Sequence, residues 1–267
     1  YLDAYTQEVS ASGETYPLAI DLFDNYIKNG TLMINYMGHG GHTEWANEGL
    51  LTHDRIVNMY NEKHPLFVTA TCDFSRFDNT TPSGGELLLL NSHGGAIALF
   101  TTTRTVYAEP NFRLNLQFAN YIFARDEQSR PLCFGDVMRK AKNALSGDSN
   151  RMNCTLLGDP ALNLAYATTH DVVTDSITRF DADGDLSTDT IRALSQVRIY
   201  GHIAPEGQTA VDTDFNGYVA LQVFDKEETI VTLCNDATST KDKIPYTFTD
   251  RSGTLFIGSV VVTDGQF

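Results

Sequence analysis

Phe67-Val68-Thr69-Ala70-Thr71-Cys72-Asp73 decides the reading of this chain. It is a short apolar run, rich in β-branched residues, that ends on a cysteine and passes at once into polar sequence. Such a run predicts a buried strand. An earlier run, Leu32-Met33-Ile34-Asn35-Tyr36-Met37, ends in the same way on Gly38-His39-Gly40-Gly41. Its near-continuous apolar character predicts a parallel strand buried on both faces. Neighbouring parallel strands ending on His39 and Cys72 put an imidazole and a thiol at one sheet edge, where α/β proteins gather reactive groups.

Working outward, the rhythm of helix then buried strand repeats. Leu18, Leu22, Tyr26 and Ile27 recur at helical spacing, with Gly30 as the stop. Thr52 opens a short helix ending near Asn61. Ser83-Gly84-Gly85-Glu86 is a capping-box pattern, and Gly94-Gly95 turns the chain into a third apolar strand, Ala96 to Phe100. Helical patterns follow over 109–125 and 134–146, and Gly158-Asp159-Pro160 supplies a turn. The first five residues read as a strand. This half, 1–168, is predicted to be an α/β layer with a mostly parallel sheet flanked by helices. Over 169–267 the texture changes to alternating runs at 196–203, 217–224, 230–233, 246–249 and 255–262, punctuated by Gly, Pro, Asn and Asp. That pattern predicts an all-β sandwich.

The two strand ends suit nucleophilic catalysis. An imidazole activates a thiol by taking its proton or stabilising the thiolate. The glycines around His39 let a substrate carbonyl approach the backbone, so the Gly40 and Cys72 N–H groups are the candidate oxyanion donors. A cysteine at a strand end is more often a small buried hydrophobe, and a histidine among glycines is more often structural. What favours catalysis is that both stand at the ends of successive strands. His42 is the rival base, read as a solvent-facing loop residue. Thr102, Thr103 and Arg104 follow the third strand at the same edge and are candidates for a substrate cleft. Trp45, the one tryptophan, is a candidate cover for it. Asp73 is read as a turn cap or a neighbour of the nucleophile.

Bulk properties narrow the partners. With 267 residues, 42% hydrophobic and 20% charged, the chain has ample core for two domains. A net charge of −15 argues against nucleic acid, whose phosphates call for clustered Lys and Arg. No apolar run approaches the roughly 18 residues of a membrane span. Residue 1 is Tyr, so any targeting segment is expected upstream. Cys72, Cys133, Cys154 and Cys234 show neither C-x-x-C nor zinc spacing, and are read as free thiols with at most one pair. Asp181, Asp183 and Asp185 alternate as in a calcium loop. The glycine falls at position 4 and no Glu stands at position 12, so a solvated acidic interdomain loop is the preferred reading, with calcium left open.

Three segments then carry a resemblance. Asn35 to Gly41, Pro65 to Asp78 and Leu156 to Leu162 resemble the gingipain family of cysteine peptidases. The cysteine segment, together with Gly94 to Arg104, is most similar to the PorU-type sortases of the type IX secretion system. The resemblance implies a caspase-like fold over 1–168, of which this would be the C-terminal part, and an immunoglobulin-like module over 169–267. It implies a dyad of Cys72 as nucleophile and His39 as base and acid, no required cofactor, and an acidic residue upstream assisting His39. It also implies a cell-surface or extracellular location in a Bacteroidetes-type bacterium, with outer-membrane secretion components as partners. The substrates would be proteins bearing C-terminal signal domains, cut through a thioester and joined to anionic lipopolysaccharide. The alternatives are a secreted gingipain-like endopeptidase without transfer, and a non-catalytic surface module with a vestigial dyad.

Overall fold

The computed structural model describes all residues except 1, 12, 146, 167–168, 182–183, 188–190, 192–193, 236–242 and 252. It divides into two compact units, one of Tyr1–Tyr166 with Val231–Tyr246, the other of Ala167–Ile230 with Thr247–Phe267. One crossing between the units falls at Tyr166–Ala167. Segment 231–246, which the sequence reading put in the second domain, belongs with the first unit for a local reason. The Asp3 carboxylate accepts the Cys234 and Asn235 N–H groups at 2.9 and 2.8 Å, and the Asp3 carbonyl accepts Leu233 N–H at 2.8 Å.

The first unit opens with a 3-10 turn, Leu2–Ala4, where a strand was expected. A small antiparallel hairpin follows, β1 (Glu8–Ser10) and β2 (Gly13–Thr15), then α1 (Pro17–Asn29) and β3 (Met33–Met37). Next come α2 (His53–Val57), β4 (Leu66–Ala70), α3 (Gly84–Leu90), β5 (Ala98–Thr102), α4 (Ala108–Ile122), α5 (Phe134–Ala144), α6 (Asn150–Asn153) and β6 (Cys154–Leu157). The sheet order is β3-β4-β5-β6. The first two pairings are parallel, while β5 with β6 is antiparallel.

Side-chain alternation along the central strands builds two cores. Leu66 and Val68 of β4 and Ala98 and Phe100 of β5 face α4 and α5, meeting Leu114, Phe118, Phe134 and Val137. Phe67 and Leu99 face the other way, toward Ile27 of α1, Ile56 of α2 and Leu88 of α3. All five residues of β4 are buried. β3 is not buried on both faces as expected. It lies at one edge of the sheet, and its Asn35 and Met37 are exposed. The capping box at α3 is present in full: the Ser83 hydroxyl accepts Glu86 N–H, and Glu86 Oε2 accepts Ser83 N–H at 2.8 Å. At Gly95, with φ +91°, any Cβ would run into the Leu88 carbonyl.

The second unit is all β among its described residues. β7 (His170–Asp181) pairs antiparallel with β8 (Gly184–Ser187) and with β9 (Gln196–Pro205). β10 (Gly217–Phe224) pairs with β13 (Thr254–Val262), and β11 (Glu228–Val231) with β12 (Thr247–Asp250). Of the stretch read as an interdomain loop, the described residues Asp181 and Gly184–Ser187 belong to β7 and β8 inside this unit. Ala182 and Asp183, with the side chains of Asp181 and Asp185 named for calcium, lie outside the described residues. Among the described residues no His, Cys, Asp or Glu cluster could hold a metal, and no helix is long and apolar enough to cross a membrane.

Candidate active site

The site is set up by strand register. Every β3–β4 pair from Met33↔Leu66 to Met37↔Ala70 keeps one offset, and Gly38 N–H still donates to the Ala70 carbonyl at 3.3 Å. The ladder ends there; carried two residues further, the same offset would bring His39 level with Cys72. The imidazole is exposed and makes no hydrogen bond among the described residues. The half-buried thiol turns instead to Val106, accepting its N–H at 3.5 Å and lying 3.7 Å from its carbonyl. The expected imidazole–thiol hydrogen bond is therefore not formed here. Catalytic hydrogen bonds often tighten only when substrate binds.

The loop carrying Cys72 rests on the loop after β5. Asp73 sits at φ +55°, and its carboxylate accepts the Thr105 hydroxyl at 3.0 Å. Ser75 N–H donates to the Thr102 carbonyl at 2.9 Å, and the Thr102 hydroxyl donates to the Thr71 carbonyl. Beneath them, Thr101 joins the buried hydroxyls of Thr69 and Ser75 at 2.8 and 2.7 Å. The loop after β5 is fixed in turn by two asparagines. Asn150 brackets Tyr107, accepting its N–H at 3.2 Å and donating to its carbonyl at 2.7 Å. The Asn153 carbonyl accepts Thr103 N–H at 2.8 Å.

The histidine loop is fixed through its backbone. The His39 carbonyl accepts the Tyr36 hydroxyl at 2.6 Å and Ala46 N–H at 2.9 Å. Gly40 lies against Thr71, the residue before Cys72: a Cβ there would collide with the Thr71 hydroxyl and the Glu44 carbonyl. Among the described residues neither Gly40 N–H nor Cys72 N–H donates to a protein acceptor, so both oxyanion candidates are free.

The expected cleft residues divide. Trp45 is fully buried, stacked on Tyr36 with ring centres 4.5 Å apart, and is core rather than cover. Thr102 is buried as the last residue of β5, which runs two residues further than the sequence suggested. Thr103 is occupied with Asn153. Arg104 is exposed and grips both carboxylate oxygens of Asp78, at 3.2 and 2.6 Å. His42 is half-buried rather than solvent-facing, its Nε2 placed 2.9 Å from the Thr81 carbonyl. The Arg104 hydrogen bond, more than its charge, holds the Asp78 carboxyl below the usual carboxylate range. Arg104→Ala is expected to raise the Asp78 pKa toward that range in an NMR titration; equal values in both proteins would refute the assignment. The pair's small contribution to stability is present above the unfolded carboxylate pKa. It is lost as pH falls through the lower folded one.

The profile of one known family, Peptidase family C25, matches residues 1–165. The chain belongs to Peptidase family C25. Among solved structures it is similar to the Arg specific cysteine proteinase gingipain R (RGPB), with 17% identity, 92% of this chain and 48% of that one covered, and a TM-score of 0.49. The complex of Porphyromonas gingivalis RgpB pro- and mature domains gives 15% identity, 92% and 49% coverage, and a TM-score of 0.49. The chain spans about half the length of these two structures. No curated protein matches it.

Sequence reasoning missed several parts of this candidate site. Val106 acts through its backbone, which leaves no residue signature. Asn150 and Asn153 reach the β5 loop from α6, across more than 40 positions of sequence. Tyr36 stands three residues before His39, a spacing that was visible without its meaning. Of the four free cysteines, Cys154 is excluded as a nucleophile, because burial pushes its thiol up to about 12.

Proposed function

We propose that this chain provides the nucleophile and base of a cysteine peptidase that passes its acyl group to an amine. The observation that supports the chemistry is the constant β3–β4 register, which leaves His39 and Cys72 each two residues past a paired strand end, near two N–H groups without a protein acceptor among the described residues. In this reading Cys72 gives its proton to His39 and attacks the scissile carbonyl. The tetrahedral oxyanion forms between Gly40 N–H and Cys72 N–H. His39 then protonates the leaving amine, and a thioester on Cys72 remains. An acceptor amine, or water, attacks that thioester and restores the thiol. No cofactor is required by these steps.

The motif resemblance supports the finer reading. It casts the first unit as caspase-like and the second as immunoglobulin-like. The substrates are proteins carrying C-terminal signal domains, processed with outer-membrane secretion components at the surface of a Bacteroidetes-type bacterium. Anionic lipopolysaccharide is the acceptor. The deciding experiment incubates the full-length protein with a secreted protein bearing such a domain, plus glycine amide as acceptor, and follows the new carboxyl end by mass spectrometry. A product carrying glycine amide is expected. A free carboxyl alone would make the enzyme a plain endopeptidase, and no cleavage with Cys72 intact would leave a non-catalytic surface module.

A further inference from the structure

We infer that the Tyr36 hydroxyl is the positioning group for the oxyanion hole, because it fixes the plane of the His39–Gly40 peptide. This deepens the peptidase reading and rests on it. The His39 carbonyl and Gly40 N–H belong to one peptide unit, and no peptide bond in the structure is cis. In a trans unit the two groups point in opposite directions. Whatever holds the carbonyl therefore aims the N–H. Two donors hold it: the Tyr36 hydroxyl at 2.6 Å and Ala46 N–H at 2.9 Å.

The tyrosine is itself held. Its ring stacks on Trp45 at 4.5 Å with an interplanar angle of 5°, and Trp45 is fully buried among Phe23, Phe67 and Phe74. The hydroxyl passes close beneath Gly38, where a Cβ would come within 2.7 Å of it. Burial, with the charge of Glu48 as a lesser cause, pushes the phenol up to about 12, so it remains a donor throughout the neutral range. Glycines flank His39 on both sides, and such a loop has little intrinsic preference against turning the peptide over. A flipped peptide would present a carbonyl, not an N–H, to the developing oxyanion. Donors placed before reaction are what make an oxyanion hole effective.

Tyr36→Phe keeps the ring and removes the hydroxyl. Two rates separate positioning from general damage. Cleavage of a fluorescein-labelled secreted protein bearing a C-terminal signal domain passes through an oxyanion; alkylation of Cys72 by iodoacetamide is a displacement at carbon and does not. In the full-length protein, Tyr36→Phe is expected to lower kcat for that substrate at least about tenfold with KM changed less than about twofold. Its alkylation rate, across pH 5–9, should stay that of the parent. Gly38→Ala, which crowds the hydroxyl from the other side, should give the same split. Equal losses of cleavage and alkylation, or an unchanged kcat, would overturn the inference. A parent protein that alkylates but cleaves nothing would sink the peptidase reading itself, a result distinct from an active parent matched by an equally active Tyr36→Phe.

Discussion

Cys72→Ala should abolish cleavage and leave the fold intact. The Cys72 thiol touches only the Val106 backbone through hydrogen bonds, and the residue is half-buried at the start of a loop. Losing it costs about 1 kcal/mol of stability at most, by the usual worth of one weak hydrogen bond. Removing a nucleophile that forms a covalent intermediate costs about 10³-fold or more in kcat. His39→Ala should reach a similar floor. Its ring is exposed and makes no hydrogen bond among the described residues, so the stability change should stay within about 0.5 kcal/mol. Residues that act as one unit are not additive, so the double variant should be no slower than the worse single one. The measurements are single-turnover cleavage of the parent's best protein substrate and a denaturant midpoint for each variant. Retained cleavage in Cys72→Ala would remove Cys72 as nucleophile. A double variant slowed by the product of both effects would separate His39 from the thiol's chemistry.

The parts legible in the sequence were those written by burial and by turn chemistry. β4 announced itself as an unbroken apolar run because both its faces are covered. α3 was given away by Ser83 and Glu86, whose reciprocal hydrogen bonds follow from their spacing. The shared strand-end position of His39 and Cys72 was legible because the two runs have matching lengths and similar exits. What stayed hidden was carried by other signals. β7 is laden with Asp, Thr and Ser and holds its place through a ten-pair ladder with β9, which is backbone bonding and leaves little apolar pattern. β6 is only four residues long, too short a run to register as a strand before the Gly158-Asp159-Pro160 turn. The thiol's contact with Val106 and the grip on the His39 carbonyl depend on which atoms meet in space. Hydrophobic period and composition do not record that.

Trp45 was the clearest reversal, and it carries the largest expected loss of stability. A lone tryptophan in a polar loop looks like a cover for a site. Its loop instead folds inward: Trp45 N–H donates to the Leu51 carbonyl at 2.8 Å, and bridges link Trp45 to both Gly40 and Leu51. The indole then meets four aromatic rings, those of Phe23, Tyr36, Phe67 and Phe74, at centre distances from 4.5 to 6.1 Å. Trp45→Ala would empty the middle of that cluster, at a cost of about 3–5 kcal/mol. Trp45→Phe should cost much less than its lost volume suggests, because the buried indole N–H has no acceptor among the described residues and its removal relieves a desolvated donor. Chemical denaturation of the parent and both variants checks the order. Activity adds a second constraint, since the stack that steadies Tyr36 is lost in Trp45→Ala and retained in part by Trp45→Phe. A cover residue would behave in the opposite way: Trp45→Ala would leave the denaturation midpoint alone and raise KM, and that outcome would return Trp45 to the substrate cleft.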